Sequence, residues 1–275
     1  MFGFIEGMIM PNSLKESMIY SLRAGGKRLR PMMVMAVLDA YGGDVSRAYA
    51  AASAVEYMHT YSLIHDDLPC MDDDDLRRGK PTNHMVFGEG LATLAGDALQ
   101  AAAFQVIAYG GHYRIDEIAA LVAELSMSAG ALGMVGGQVA DLEAENVAVS
   151  AEQLEEIHFL KTGQLIEFSL VAGAILAEAP GSDIEKLREF AKHVGLAFQI
   201  KDDILDVEGH EDVIGKPVGS DISRGKSTYP ALLTLDGAKE KLVFHTELAE
   251  QVLGDITCKQ QILKEMIELV VTRKQ

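Results

Sequence analysis

Residues 65–80 read HDDLPCMDDDDLRRGK: six aspartates fall within the ten positions 66–75, and Arg77, Arg78 and Lys80 follow almost at once. In a chain with 41 Asp and Glu among 275 residues, an acidic run is ordinarily solvated surface. The segment just upstream argues against that here. YMHTYSLI (57–64) is largely apolar and holds no lysine or arginine, so the run begins at the end of a buried helix rather than in a polar tail. Carboxylates this close repel unless something cationic sits among them, and a hard cation such as Mg²⁺ takes oxygen ligands while keeping waters for a phosphate partner.

A second acidic cluster, FQIKDDILDVEG (198–209), sets Asp202, Asp203 and Asp206 at i, i+1 and i+4 in another apolar, helix-like context. Helical neighbours lie three and four residues apart, so Gln199, Asp202 and Asp206 form one stripe and Asp203 borders it. Aligned acids that met only water would destabilise the helix by mutual repulsion. Two such clusters on apolar helices point to a shared metal-phosphate site.

The global properties agree. With 48% hydrophobic residues and seven prolines, the chain suits a compact helical body with a large core rather than disorder. A net charge of −17 disfavours nucleic acid and anionic membrane surfaces, which recruit basic patches. Cys70 and Cys258 are too few for a disulfide framework and fit no zinc spacing, so a reducing, cytoplasmic compartment is expected. The start, MFGFIEGMIM, lacks the basic n-region of a signal peptide, and no uninterrupted apolar run reaches the ~18 residues of a membrane span. A soluble protein without integral membrane association is expected.

Breaks fall at GGKRLRP (25–31), YGGDV (41–45), GKPTNH (79–84), YGGHY (109–113), APGSD (179–183) and EGHEDVIGKPVGSD (208–221). Between them, three- and four-residue periodicity predicts helices over 46–67, 90–108, 114–143, 151–177, 183–207 and 227–240, and no run of alternating β-branched residues predicts a strand. One all-α domain over 1–275 follows, a helical bundle with the acidic clusters near the ends of two long helices. The positive groups are few and grouped: Lys27, Arg28 and Arg30 in GGKRLRP, then Arg77, Arg78, Lys161, Lys216 and Lys226 at predicted helix edges beside the acids. Arginine offers planar bidentate contacts to phosphate and lysine a mobile point charge, so these read as an anion site facing the metal site.

GGKRLRP, YSLIHDDLPCMDDDDLRRGKPTNH, KTGQLIEFS, FQIKDDILD and GKPVGSDISRGKSTYP resemble, in order, the successive motifs of the trans-isoprenyl diphosphate synthases, from about Ser13 to the C-terminal region. Either acidic cluster alone would also suit a terpene cyclase; five motifs in order are far more specific. The resemblance implies the isoprenoid-synthase helical bundle around a central cavity, isopentenyl diphosphate and an allylic diphosphate as substrates, three Mg²⁺ ions and a homodimer. It implies that Asp66, Asp67 and Asp72 in the first motif, and Asp202, Asp203 and Asp206 in the second, position the metals. Arg77, Lys161, Thr162, Gln199, Lys216 and Lys226 would contact the allylic diphosphate, with Lys161 and Thr162 also facing the developing cation. Lys27, Arg30, His59 and Arg78 would hold isopentenyl diphosphate. Whether KTG marks such a site or an ordinary helix kink at Gly163 stays open.

Product length is a matter of pocket depth. Tyr61 lies ~7.5 Å below Asp66 at ~1.5 Å rise per residue, although roughly 140° around the helix from it. By the resemblance, an aromatic side chain there marks a C15 rather than a C20 product, and Ser62 leaves the wall open beside it. Farnesyl diphosphate is thus favoured over geranylgeranyl diphosphate. A terpene cyclase is disfavoured by the Lys27, Arg30 and Arg78 set, and a noncatalytic partner subunit by the retention of every metal ligand. The segment ahead of GGKRLRP is shorter than the family's first helix, so a truncated N-terminal helix is expected.

Overall fold

Alanines at 50, 51, 52 and 54 keep one face of helix α4 (Tyr49–Asp66) slim enough to be closely surrounded, and twelve of its 18 residues are buried. It is the interior helix on which the bundle is built. The computed structural model describes residues 1–208 and 226–273. Before α4 come α1 (Phe2–Gly7), α2 (Asn12–Leu22), α3 (Leu29–Ala40) and a 3₁₀ turn (Val45–Ala48); after it a two-residue-strand hairpin pairs Leu76–Arg77 with Lys80–Pro81. Then follow α5 (Asn83–Phe87), α6 (Glu89–Gly110), α7 (Ile115–Ala129), α8 (Met134–Glu143), α9 (Ala151–His158), a π segment (Phe159–Gly163), α10 (Gln164–Leu176), α11 (Gly181–Glu208), α12 (Tyr229–Gly254) and α13 (Gln261–Thr272).

Two apolar clusters form the interior. One gathers Met18, Leu22, Tyr57, Met58, Leu99 and Leu125 around α4 and α6. The other gathers Phe190, Ile200, Tyr229, Leu253 and Leu263 around α11, α12 and α13. Helices α3 and α10 lie between and serve both: Val34 and Phe168 face the first cluster, Val37 and Leu170 the second. A helix apolar all round is what such a position requires. Segments such as Glu89–Gly110 and Ala151–Leu176 have the length and mean composition of a membrane span, and 67% of the latter's most apolar window is buried inside the protein.

Several boundaries differ from the expected ones. The helix predicted over 114–143 is two, α7 and α8, parted where Gly130 and Gly133 leave helical geometry at ψ −158° and −127°. The helix predicted over 227–240 continues to Gly254, interrupted at Thr234 (φ 70°), because Ala238, Leu242, His245, Ala249 and Leu253 carry its buried stripe onward. Helices α2, α3 and α13 were missed; α13 shows its period in Leu263, Met266, Ile267 and Val270. At the N-terminus, α1 and α2 stand ahead of the GGKRLRP loop, and Met18 and Leu22 of α2 are fully buried.

Away from both acidic clusters, α9, α11 and α12 enclose a histidine pair. His193 Nδ1 and His245 Nδ1 are 3.1 Å apart, so one must donate and the other accept. Glu155 Oε1 lies 3.7 Å from His245 Nε2, too far for a hydrogen bond, and Lys241 binds that glutamate at 2.9 Å. Burial pushes His245 down to about 4, with His193 and Lys241 adding to the fall against the pull of Glu155. In the unfolded chain this ring protonates near 6.5, so the unfolded state gains the extra proton first and stability falls as pH drops from 6.5 towards 4. Thermal melts across that window are expected to show a shallower acid-side decline for His245→Phe than for the wild type; equal slopes would remove the pair from the acid response.

Candidate active site

The two acidic clusters sit at the C-terminal end of α4, where the helix dipole already adds negative potential, and in the last turns described for α11. Acids there raise the cost of folding without a cation, and they face one chamber. A cavity of about 810 Å³ is lined by Asp66 and Asp72 on one side and Asp202 and Asp206 on the other, with Lys27, Arg30, Arg77, Arg78 and Lys161 among its remaining walls.

Asp66 carries no side-chain hydrogen bond among the described residues. Burial pushes its carboxyl up to about 6, and Asp72 adds to the rise against the pull of Lys161 and Arg77. Asp72 is held by Lys226 Nζ at 3.3 Å and Asp202 by Arg273 Nη1 at 2.6 Å. Asp67 and Asp203 behave differently from their neighbours, since neither lines the chamber. Asp67 is nearly fully buried and accepts from Arg77 Nε at 2.7 Å. Asp203 accepts from the Tyr229 backbone N–H at 3.0 Å and from Gln199 Nε2 at 3.1 Å, tying α11 to the start of α12. The chamber thus receives Asp66, Asp72, Asp202 and Asp206, while Asp67 and Asp203 anchor the elements that carry them.

All-oxygen donors without histidine or cysteine are the set for a hard cation. Among the described residues no three acids, histidines or cysteines converge into a ready cage. That suits Mg²⁺, which takes one or two carboxylates from protein and completes its shell with waters and phosphate oxygens.

Opposite the acids lies a cationic wall. Gly26 (φ 115°) leaves room for the Arg78 guanidinium: a Cβ there would sit 2.3 Å from Arg78 Nη1, which donates to the Gly25 carbonyl. Arg78 itself stands in the hairpin turn with φ 54°, beside Gly79 at φ 73°, the two positive values of a tight two-residue loop. Arg28 pairs with the buried Glu56 and so is committed to structure. Arg30 differs: its Nε is buried with no hydrogen-bond partner. Burial, with Arg78 adding, holds the Arg30 guanidinium below its usual range despite Glu56 and Asp202. Lys27 is likewise lowered by burial and by Arg273. His59 is held well below its ordinary value by burial and by Arg30 and Arg78, and is a neutral donor in the physiological range. Crowded cations that depress one another form a site awaiting an anion. Lys216 lies outside the described residues.

Where α9 meets α10 the helix widens into the π segment Phe159–Gly163, which contains Lys161 and Thr162. Such segments disturb the i→i+4 ladder and often mark functional sites. The feature at KTG is therefore a π insertion rather than an ordinary kink at Gly163. Lys161 Nζ binds Asp141 Oδ2 at 2.6 Å, and Thr162 donates to Gln199 Oε1 at 3.2 Å. Lys161 and Lys226, 3.9 Å from the same carboxylate, hold Asp141 below the carboxylate range although burial pushes it up.

A second cavity, about 480 Å³ and mainly apolar, is lined by Tyr61, Ser62, Leu68, Met71, Met134, Val135, Val139, Leu142 and Leu165. It shares Arg30, His59, Leu63, Asp66 and Lys161 with the polar chamber. Tyr61 and Asp66 both line it despite their angular separation on α4. The Ser62 hydroxyl turns back to the His59 carbonyl at 2.9 Å, so it is not left unpaired in the space. If the Tyr61 ring closes this pocket, Tyr61→Ala extends it, and each added methylene of product gains ~0.8 kcal/mol of burial instead of meeting a wall. Longer products are expected in chromatography of the dephosphorylated alcohols; an unchanged pattern from folded protein would put the floor elsewhere.

Sequence reasoning missed Asp141, Glu56, Phe198 and Arg273. Asp141 had a signal, an isolated acid in the apolar stretch MVGGQVADL (134–142). Arg273 had none: it reaches Asp202 and lies 3.9 Å over the Phe198 ring from the far end of the chain.

The sequence matches the Polyprenyl synthetase family over residues 11–270. It is 56% identical over 275 residues to the farnesyl diphosphate synthase of Bacillus subtilis (strain 168), covering 98% of this chain and 92% of that protein. It is 52% identical over 232 residues to the chloroplastic geranylgeranyl pyrophosphate synthase of Capsicum annuum, covering 84% of this chain and 63% of that one. Among solved structures, the geranyltransferase of Helicobacter pylori complexed with magnesium and isoprenyl diphosphate superposes with a TM-score of 0.86 at 31% identity, over 98% of this chain and 92% of that one. The chain belongs to the polyprenyl synthetase family.

Proposed function

We propose that the protein is a Mg²⁺-dependent prenyltransferase that condenses isopentenyl diphosphate with dimethylallyl or geranyl diphosphate, giving farnesyl diphosphate and pyrophosphate. One observation carries this reading: a chamber of carboxylates and cations opens into an apolar pocket through five shared residues. That is the shape of an amphiphile with a diphosphate head and a hydrocarbon tail. The likeness to Bacillus subtilis farnesyl diphosphate synthase, 56% over nearly the whole chain, favours the C15 product over the C20 one.

In this reading Asp66, Asp72, Asp202 and Asp206 hold Mg²⁺, three ions by the family pattern, with Asp67 and Asp203 supporting them. Mg²⁺ bound between carboxylates and diphosphate supplies Lewis-acid stabilisation of the leaving pyrophosphate. Arg77, Lys161, Gln199, Lys216 and Lys226 orient the allylic head, and Lys161 and Thr162 face the carbon that becomes cationic. Lys27, Arg30, His59 and Arg78 hold the isopentenyl diphosphate, which is not a leaving group and so needs fixed cations. Its double bond attacks the allylic carbon, and the released pyrophosphate is the nearest anion able to take the proton. No side-chain base is needed.

We further propose one polyprenyl synthase domain, a cytoplasmic location and a homodimer, the last to be tested by sedimentation. For the activity itself, purified protein with Mg²⁺, isopentenyl diphosphate and each allylic diphosphate in turn is expected to yield a C15 alcohol after dephosphorylation. A cyclised hydrocarbon, or no use of isopentenyl diphosphate, would sink the reading.

A further inference from the structure

One wall of the apolar pocket is the end of α4, and α6 packs against that helix. Tyr61 and His65 stand one turn apart on α4, both line the pocket, and their rings meet edge-to-face with centroids 5.3 Å apart at 89°. On α6, Thr93, Gly96 and Gln100 follow at spacings of three and four, a single stripe turned towards those rings. His65 Nε2 lies 3.0 Å from the Thr93 carbonyl. A carbonyl only accepts, so that nitrogen carries the proton.

Gly96 is what allows this arrangement. A Cβ built there would lie 2.2 Å from His65 Nε2 and 2.5 Å from its Cδ2, closer than any real contact. The imidazole occupies the space that a side chain at 96 would take.

We propose that product length is set by a clasp between α4 and α6, in which Gly96 positions His65 and His65 holds the Tyr61 ring in the wall of the pocket. The proposal rests on reading this pocket as the hydrocarbon site. Tyr61 alone is a ring on a rotatable bond; braced by the His65 ring, it is a fixed stop. The imidazole, once driven off α6, has the pocket as its open side.

Opposite substitutions should therefore move products in opposite directions. With dimethylallyl diphosphate and excess isopentenyl diphosphate, Gly96→Ala should push the imidazole inward and raise the C10 to C15 ratio. His65→Ala should remove the brace, add room and raise the C20 to C15 ratio, by about 2- to 12-fold given the ordinary strength of an edge-to-face ring pair. The double variant separates a clasp from a general disturbance of α6: added to His65→Ala, Gly96→Ala should change little, because the three nearest atoms that the new Cβ would meet all belong to the imidazole.

Melts of each variant establish that it is folded. An equal Gly96→Ala shift with and without His65 overturns the proposal. So does an unchanged ratio in folded His65→Ala, which carries the test if Gly96→Ala does not fold. A wild type that makes C15 while no variant shifts its products overturns the clasp only. A wild type that makes no C15 overturns the reading of the pocket itself.

Discussion

Asp66→Ala is expected to lower turnover by about 10²-fold or more at saturating Mg²⁺ while leaving the melting temperature unchanged or higher. The two halves of that result come from one observation. Asp66 is a carboxylate at a helix C-terminus, pushed by burial up to about 6 and without a side-chain hydrogen bond among the described residues. A folded-state value above the unfolded one means that the ionised form is disfavoured by folding at neutral pH, so removing it relieves the empty protein. The same ionised form is what would hold the cation that stabilises departing pyrophosphate. Steady-state rates and melts on the same preparation test both halves, with EDTA treatment of the wild type as the parallel control. Full activity in EDTA or in the variant would refute the metal mechanism; lost activity with a much lower melting temperature would make Asp66 a structural residue.

Arg30→Ala is expected to raise KM for isopentenyl diphosphate by about 10- to 150-fold, the loss of one charge-assisted hydrogen bond worth ~1.5–3 kcal/mol, with kcat changed far less. Arg30 is singled out because Arg28 is spent on Glu56, whereas the Arg30 Nε has no partner and its charge is already opposed by burial and by Arg78. An anion supplies what the empty site lacks. KM for the allylic diphosphate should move less than about threefold if the anion sites are separate. Equal changes for both substrates would mean that the assignment of the two sites is wrong. Lys27→Ala should follow the same pattern more weakly, because its half-exposed ammonium is screened by water and salt.

Much of the site could be read in the sequence because it consists of local patterns. Asp202 and Asp206 share a face by spacing alone, and the apolar run ahead of Asp66 placed that residue at the end of a buried helix. What could not be read were relations across the fold. Nothing local distinguishes Asp67 from Asp66, yet Arg77 captures one and leaves the other to the chamber. Nothing in the tail predicts that Arg273 reaches Asp202, or in ATLAGDALQ that Gly96 makes room for an imidazole from α4. The helix limits follow the same division. The alanine-rich stripe of α4 was clear, whereas α12 and α13 carry their buried periods through charged sequence, and only burial reveals which positions matter.

The π segment carries a consequence for insertions and deletions. Its ladder holds one residue more per closure than an α-helix, so loss of any single residue from 159–163 would let the hydrogen bonds return to ordinary α spacing without breaking the helix. Five residues at the wider spacing turn the chain about as much as four at the α spacing, so α9 would keep nearly its present phase against α10 and Leu154 and Ile157 would stay in the core, while Lys161 and Thr162 would lose the displaced positions from which they reach Asp141 and Gln199. Between Phe159 and Gly163 the protein should accept substitutions more readily than a change in chain length, and an unbroken residue count there is a stricter mark of a working site than the identity of most side chains within it.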